Sequence, residues 1–204
     1  MTRIKSLIAF CLLFASISCS AALVGVYPGN IYDIDSVSGA ASNFRNVGIN
    51  TDSGIAFAPD GQLIGAYSGT IYDIDIVTGA ASNFRNVGVN LQDIAFSPDG
   101  QLVGVYPGTI YDIDLATGAA TNFRNVGINT DSGITFSANG QLISAYSGTI
   151  YDIDIVTGAA SNFRNVGVNL QDIAFTAVPV PAAVWLFSSA LVVLGALRRK
   201  RLVP

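Results

Sequence analysis

The sequence predicts an all-β domain made of four copies of one four-stranded unit. Three observations carry that prediction: a pentapeptide that returns at near-constant spacing, Gly-containing turns between short apolar runs, and no helical apolar period in the repeats. Ile31-Tyr32-Asp33-Ile34-Asp35 recurs from Ile71, Ile110 and Ile150, at spacings of 40, 39 and 40 residues. Asn43-Phe44-Arg45-Asn46-Val47-Gly48 recurs from Asn83, Asn122 and Asn162. Repetition at this period marks an array of one supersecondary unit.

The alternation of 40 and 39 has a visible source. Asn50-Thr51-Asp52-Ser53-Gly54 and Asn129-Thr130-Asp131-Ser132-Gly133 are one residue longer than Asn90-Leu91-Gln92-Asp93 and Asn169-Leu170-Gln171-Asp172. A doubled unit of 79 residues therefore lies above the single one. Gly61 to Phe96 matches Gly140 to Phe175 at every position except Gly65 against Ser144, which points to a recent duplication.

The third unit shows the elements in order. Asp93 to Ser97 is an apolar run that ends at Pro98-Asp99-Gly100; Gln101 to Tyr106 ends at Pro107-Gly108; Thr109 to Asp114 ends at Ala116-Thr117-Gly118; Ala119 to Arg124 closes the unit at Gly127. Four short runs separated by such turns read as an antiparallel meander. About forty residues per four-stranded unit is the size of a propeller blade, so the expected architecture is a β-propeller-like ring of four blades over residues 22–175. Ala22 aligns with Gln62, Gln101 and Gln141, so the first unit lacks its innermost strand, whereas Leu170 to Phe175 is an innermost strand with no unit after it. Strand exchange, with residues 170–175 joining the first blade, is the expected closure, and it removes a sheet edge prone to aggregation. A ring of eight blades from two chains is the competing closure.

The two ends predict export. Arg3 and Lys5 precede the apolar run Leu7 to Ile17 and the small residues Ser18 to Ala22, the pattern of a signal peptide over residues 1–21. Cys19 leaves lipidation open as a second reading. From Val180 to Leu197 the chain is apolar, and it stops at Arg198, Arg199, Lys200 and Arg201. Eighteen residues at 1.5 Å each make about 27 Å of helix, close to the thickness of a bilayer core. Residues 182–204 are thus expected to be one transmembrane helix with a cytoplasmic basic tail, after a linker at 176–181. Between the ends lie four arginines and all fourteen aspartates, a net −10. So acidic a domain is not expected to bind nucleic acid through its overall field.

Three resemblances extend this reading. Ile94-Ala95-Phe96-Ser97-Pro98-Asp99-Gly100-Gln101-Leu102 resembles the inner-strand segment of WD-repeat-like propeller blades. Ile71 to Gly79, with its Asp75-x-x-Thr78-Gly79 turn, is similar to blades that include pyrroloquinoline-quinone enzyme repeats; those continue to a Trp where this chain has Phe84, so no quinone is expected. Val178-Pro179-Val180-Pro181, then the apolar segment and Arg198 to Arg201, resembles the PEP-CTERM sorting signal, with Val180 where that family has Glu. The resemblance implies processing by an exosortase, transit through the inner membrane of a Gram-negative cell, and delivery to the cell surface or an exopolysaccharide-rich biofilm matrix.

Chemistry is constrained by what is missing. The chain has no His and no Glu, its only lysines are Lys5 and Lys200, and Cys11 and Cys19 both lie in the signal segment. The mature domain therefore lacks the commonest general base and the Lys and thiol nucleophiles. What remains are aspartate pairs: Asp33/Asp35, Asp73/Asp75, Asp112/Asp114 and Asp152/Asp154. At i, i+2 on a strand both carboxylates share a face, which suits a Ca²⁺ site of oxygen ligands. The structural alternative has the second Asp capping its Asp-x-x-Thr/Ser-Gly turn and the first pairing with the single Arg of a blade. Fourfold recurrence favours the structural role, so no catalytic, cofactor or metal residue is expected. The Phe-Arg repeats and the tyrosines are expected to pack the blades, unless several tyrosines face the ring opening and stack on sugars. The expected function is a non-enzymatic surface or matrix scaffold or binding protein. A glycan- or calcium-dependent adhesion module and an extracellular propeller lyase or lactonase are the alternatives.

Overall fold

The computed structural model describes residues 23–174 except 28, 36, 37, 52, 131, 132, 169 and 171. The expected signal peptide, linker, sorting motif and transmembrane helix lie outside the described residues. The first sheet comprises β1 (Leu23–Tyr27), β2 (Asn30–Ile34) and β3 (Ala41–Asn46). The second holds β4 (Ile55–Phe57), β5 (Leu63–Tyr67), β6 (Thr70–Ile74) and β7 (Ala81–Asn86). The third is β8 (Asp93–Phe96), β9 (Leu102–Tyr106), β10 (Thr109–Ile113) and β11 (Ala120–Asn125). The fourth is β12 (Ile134–Phe136), β13 (Leu142–Tyr146), β14 (Thr149–Ile153) and β15 (Ala160–Asn165). All four are antiparallel meanders, arranged as propeller blades with β4, β8 and β12 adjacent at the inner edge.

In the second to fourth blades burial falls from the second strand to the outermost one, and composition explains why. Leu63 to Ala66 of β5 are buried, because both faces of this strand meet neighbouring sheets; an uninterrupted apolar run is the sequence form of such a strand. β7 reads Ala-Ser-Asn-Phe-Arg-Asn and is mostly exposed. The apolar core therefore lies between blades. Ile31, Val47, Leu63 and Tyr72 join the first sheet to the second; Ile71, Val87, Leu102 and Tyr111 join the second to the third; Ile110, Val126, Leu142 and Tyr151 join the third to the fourth.

The turns follow their residues. Between β8 and β9, Gly100 N–H donates to Ser97 O and Ser97 N–H to Gln101 O, both at 2.9 Å. Between β10 and β11, the Asp114 carboxylate accepts from Thr117 N–H at 2.7 Å and Ala116 N–H at 3.0 Å, and Gly118 N–H donates back to Asp114 O. That turn also makes the seam. A Cβ on Gly118 would stand 2.7 Å from Arg85 Cβ and 3.0 Å from Asn86 O of the preceding blade, and Gly79 and Gly158 approach Arg45 and Arg124 in the same way. Only glycine allows this approach.

The expected closure by residues 170–175 is not what the described residues show. The first sheet has three strands, and Leu170 and Asp172 to Ala174 belong to no strand. Asp172 lies instead against Gly133 of the fourth blade, as Asp93 lies against Gly54 of the second. The Gly–Arg seam found at Gly79, Gly118 and Gly158 has no counterpart at Gly39 of the first blade, where a Cβ would meet nothing within 4 Å.

Candidate functional site

Each blade carries the same aromatic and ionic cluster, and a β-bulge creates it. In the second blade Ile71 pairs with Arg85 and Asp73 with Ser82, so Tyr72 alone faces both Asn83 and Phe84. The extra residue is Asn83, at φ +50°, a left-handed conformation that Asn tolerates better than most residues. Asn43, Asn122 and Asn162 repeat it at the same φ. Asp73 holds the bulge: its Oδ2 accepts from Asn83 Nδ2 at 2.7 Å and its Oδ1 from the Arg85 guanidinium. Asp33, Asp112 and Asp152 bind Asn43/Arg45, Asn122/Arg124 and Asn162/Arg164 in the same fork, each Arg contact at 2.6 Å.

Electrostatics agree with these bonds. Hydrogen bonds from Arg45 and Asn43 hold the Asp33 carboxyl below its ordinary range, and Arg164 and Asn162 do the same for Asp152. At Asp112 burial pushes the other way, but Arg124 and Asn122 outweigh it. The second aspartates are held low by their turns: Asp75 by the Thr78 and Val77 amides, Asp114 by the amide and hydroxyl of Thr117, and Asp154 likewise by Thr157. Asp35 accepts from Ser38 N–H at 2.6 Å. The structure thus places the first Asp of each pair on its own blade's Arg and the second in its turn. Among the described residues no three acidic side chains converge. A Ca²⁺ ion at any first aspartate has to compete with an arginine already bonded there.

The bulge also turns a phenylalanine outward. Phe44, Phe84, Phe123 and Phe163 are 56–68% exposed. Each lies on the tyrosine of its own blade, with ring centroids 5.3–5.6 Å apart for Tyr32, Tyr72, Tyr111 and Tyr151. In the later blades that tyrosine is buried and its hydroxyl donates to the connection before its blade: Tyr72 to Asn50 O at 2.9 Å, Tyr111 to Asn90 O at 2.5 Å and Tyr151 to Asn129 O at 2.7 Å. The tyrosines thus divide, since Tyr27, Tyr67, Tyr106 and Tyr146 are exposed at the hairpin ends. Around Tyr67, Tyr72, Phe84, Thr70, Ile49 and Asn50 the surface forms a cleft of about 570 Å³. Exposed rings thus stand in repeated positions, each against a second ring of its own blade, and together offer flat apolar surface to solvent.

A second feature sits at the inner edge. Asp93 is 9% exposed; its Oδ1 accepts from Ile94 N–H at 2.8 Å and its Oδ2 from Ile134 N–H of β12 at 2.7 Å. Burial, and then the nearby Asp172, push its carboxyl up to about 8. Burial also raises Asp172. Sequence reading missed both the outward Phe and the buried Asp. The polar neighbours of Phe84 were the available signal for the first, and the one-residue length difference that aligns Asp93 with Gly54 was the signal for the second.

Fold and surface together define an all-β repeat protein of propeller type with an aromatic-studded surface. No protein-family model matches the chain, and no curated protein matches it. Among solved structures, hydrazine synthase of Kuenenia stuttgartiensis is similar at 19% identity with a TM-score of 0.49, over 67% of this chain. The chain spans 43% of the length of that protein.

Proposed function

We propose that the chain is a non-enzymatic binding module that presents aromatic platforms to the sugar rings of a surface or matrix polysaccharide. The observation that carries this reading is the fourfold recurrence of an exposed Phe on the Tyr of its own blade, a Tyr that is buried and bonded to the preceding connection in three of the four. Sugar rings offer apolar C–H faces to such platforms, and equal weak sites on one body give avidity for a polymer that a single site lacks. The sequence ends support the setting: a signal peptide for export, and a PEP-CTERM-like tail that an exosortase removes from an inner-membrane precursor.

Affinity electrophoresis of the full chain through gels containing neutral soluble polysaccharides tests the reading. Retardation that falls when Phe84→Ala and Phe123→Ala are combined supports it. Retardation unchanged by that pair, or absent with every polymer tried, overturns it. The enzymatic alternative has one observation on its side, a carboxyl at Asp93 that holds its proton to about pH 8. That carboxyl is buried and bonded to two backbone amides, which leaves it poorly placed to meet a substrate.

A further inference from the structure

The two ends of the blade array expose what the three internal seams bury. Leu23 is 48% exposed, whereas its equivalents Leu63, Leu102 and Leu142 are each at 1%. At the other end Val166 is 41% exposed, against 4–5% for Val47, Val87 and Val126. The Arg164 side chain is 44% exposed, against 12–16% for the other three arginines. Tyr32 has no preceding blade; among the described residues its hydroxyl donates to Val26 O of its own sheet, at 3.4 Å. Each deficit on the first blade has its complement on the fourth, and the interface that would satisfy both is already present three times in the fold.

The missing strand has a template as well. In the third blade Asp93-Ile94-Ala95-Phe96 pairs with Leu102-Val103-Gly104-Val105-Tyr106, with Ala95 opposite Val103. The same two sequences recur as Asp172 to Phe175 and as β1, Leu23 to Tyr27. The described part of the first, Asp172 to Ala174, belongs to no strand, and the second is the inner edge of a sheet of three strands. Among the described residues of one chain the two do not pair; Asp172 lies against Gly133 of the fourth blade, the contact that Asp93 of the paired strand β8 makes with Gly54 of the second.

We propose that two copies of this chain close one eight-bladed ring, the segment from Asp172 of each copy completing the first blade of the other. Two copies related by a twofold axis make both new seams identical and leave no blade face open. Eight blades lie within the range that propellers adopt, and closure removes the exposed edge of β1. The inference stands independently of the sugar reading, since it uses none of the exposed aromatic rings.

Cross-linking tests it. By the template register Ala174 of one copy lies opposite Val24 of the other, so Ala174→Cys and Val24→Cys are placed on separately tagged full-length chains, with Cys11 and Cys19 changed to Ser. The chains are co-expressed and oxidised mildly. A covalent species carrying both tags is expected, with twice the mass of one chain and lost on reduction; a single chain carrying both changes should give a doubly linked dimer. A link only within one chain, a linked species larger than two chains, or no link at all overturns the proposal. The unmodified full chain in detergent provides a second measurement that does not depend on the variants folding: light scattering should give a protein mass of two chains, and a mass of one chain is equally decisive against closure by a second copy.

Discussion

Replacing Gly118 by Ala tests the account of how blades are held together. The new methyl would stand 2.7 Å from Arg85 Cβ and 3.0 Å from Asn86 O, and the contacts include backbone that no rotamer change can clear. Two terms add. Gly118 has φ +83°, where a residue with a Cβ is strained by about 1–2 kcal/mol. Overpacking the seam adds about 1–3 kcal/mol, because the sheets have to separate by several tenths of an ångström. Gly88 isolates the second term. It sits at φ +80° with nothing within 4 Å of a built Cβ, so Gly88→Ala carries the backbone strain alone. In urea unfolding of the full chain followed by far-ultraviolet circular dichroism, Gly118→Ala should be less stable than Gly88→Ala by about 1–3 kcal/mol. Equal losses, to within about 0.5 kcal/mol, the usual scatter of a neutral surface change, would refute the seam.

Other outcomes follow from the same contacts. Asp93→Ala leaves the Ile94 and Ile134 amides without their acceptor, and at about 1–3 kcal/mol for each buried group it should lower stability more than Asp99→Ala in a surface turn, measured by the same unfolding assay. The native Asp93 carboxyl titrates near 8 against 3.8 ordinarily, so the folded state binds the extra proton. Its contribution is complete below about pH 4, declines as pH rises toward 8 and is level beyond; Asp93→Asn should remove that decline from a plot of urea midpoint against pH. Asp73→Ala releases Arg85 and Asn83 and should cost about 1–3 kcal/mol, with a shift in near-ultraviolet dichroism as Phe84 leaves Tyr72. Millimolar Ca²⁺ should leave the melting temperature unchanged, because the first aspartates are already bonded to arginine; a rise abolished by mutating the aspartate pairs would reverse that assignment. Mass spectrometry of extracellular material should find a C-terminus near Val178 to Pro181, and a peptide reaching Pro204 in exported protein would exclude cleavage.

Local chemistry was legible in the sequence because the repeats state it four times. The boundaries of β8 to β11 lie within about a residue of the runs read between Pro98-Asp99-Gly100, Pro107-Gly108 and Ala116-Thr117-Gly118, since each turn needs those residues for its own backbone. The division of labour within Asp73/Asp75 was legible for the same reason. Phe84 was not: an apolar ring in a strand reads as packing, and only the bulge at Asn83 turns it outward. Nor was the open seam of the first blade, because Gly39 and Gly118 stand in the same Asp-x-x-Ser/Thr-Gly turn, and whether a neighbouring Arg meets that turn is a contact between units that no single unit encodes.

The duplication that wrote Asp93 to Phe96 and Asp172 to Phe175 as one sequence has a kinetic side. During folding, two indistinguishable strands compete for two indistinguishable edges, Leu102 to Tyr106 and Leu23 to Tyr27. Chain length breaks the tie. Five residues, Ser97 to Gln101, connect the first strand to the β9 edge, whereas 65 separate that edge from Asp172. Loop closure favours the short hairpin by about 2 kcal/mol, enough to settle the competition before any long-range pairing begins. The later strand is left over by arithmetic, free to meet a matching edge only after its own blades have formed.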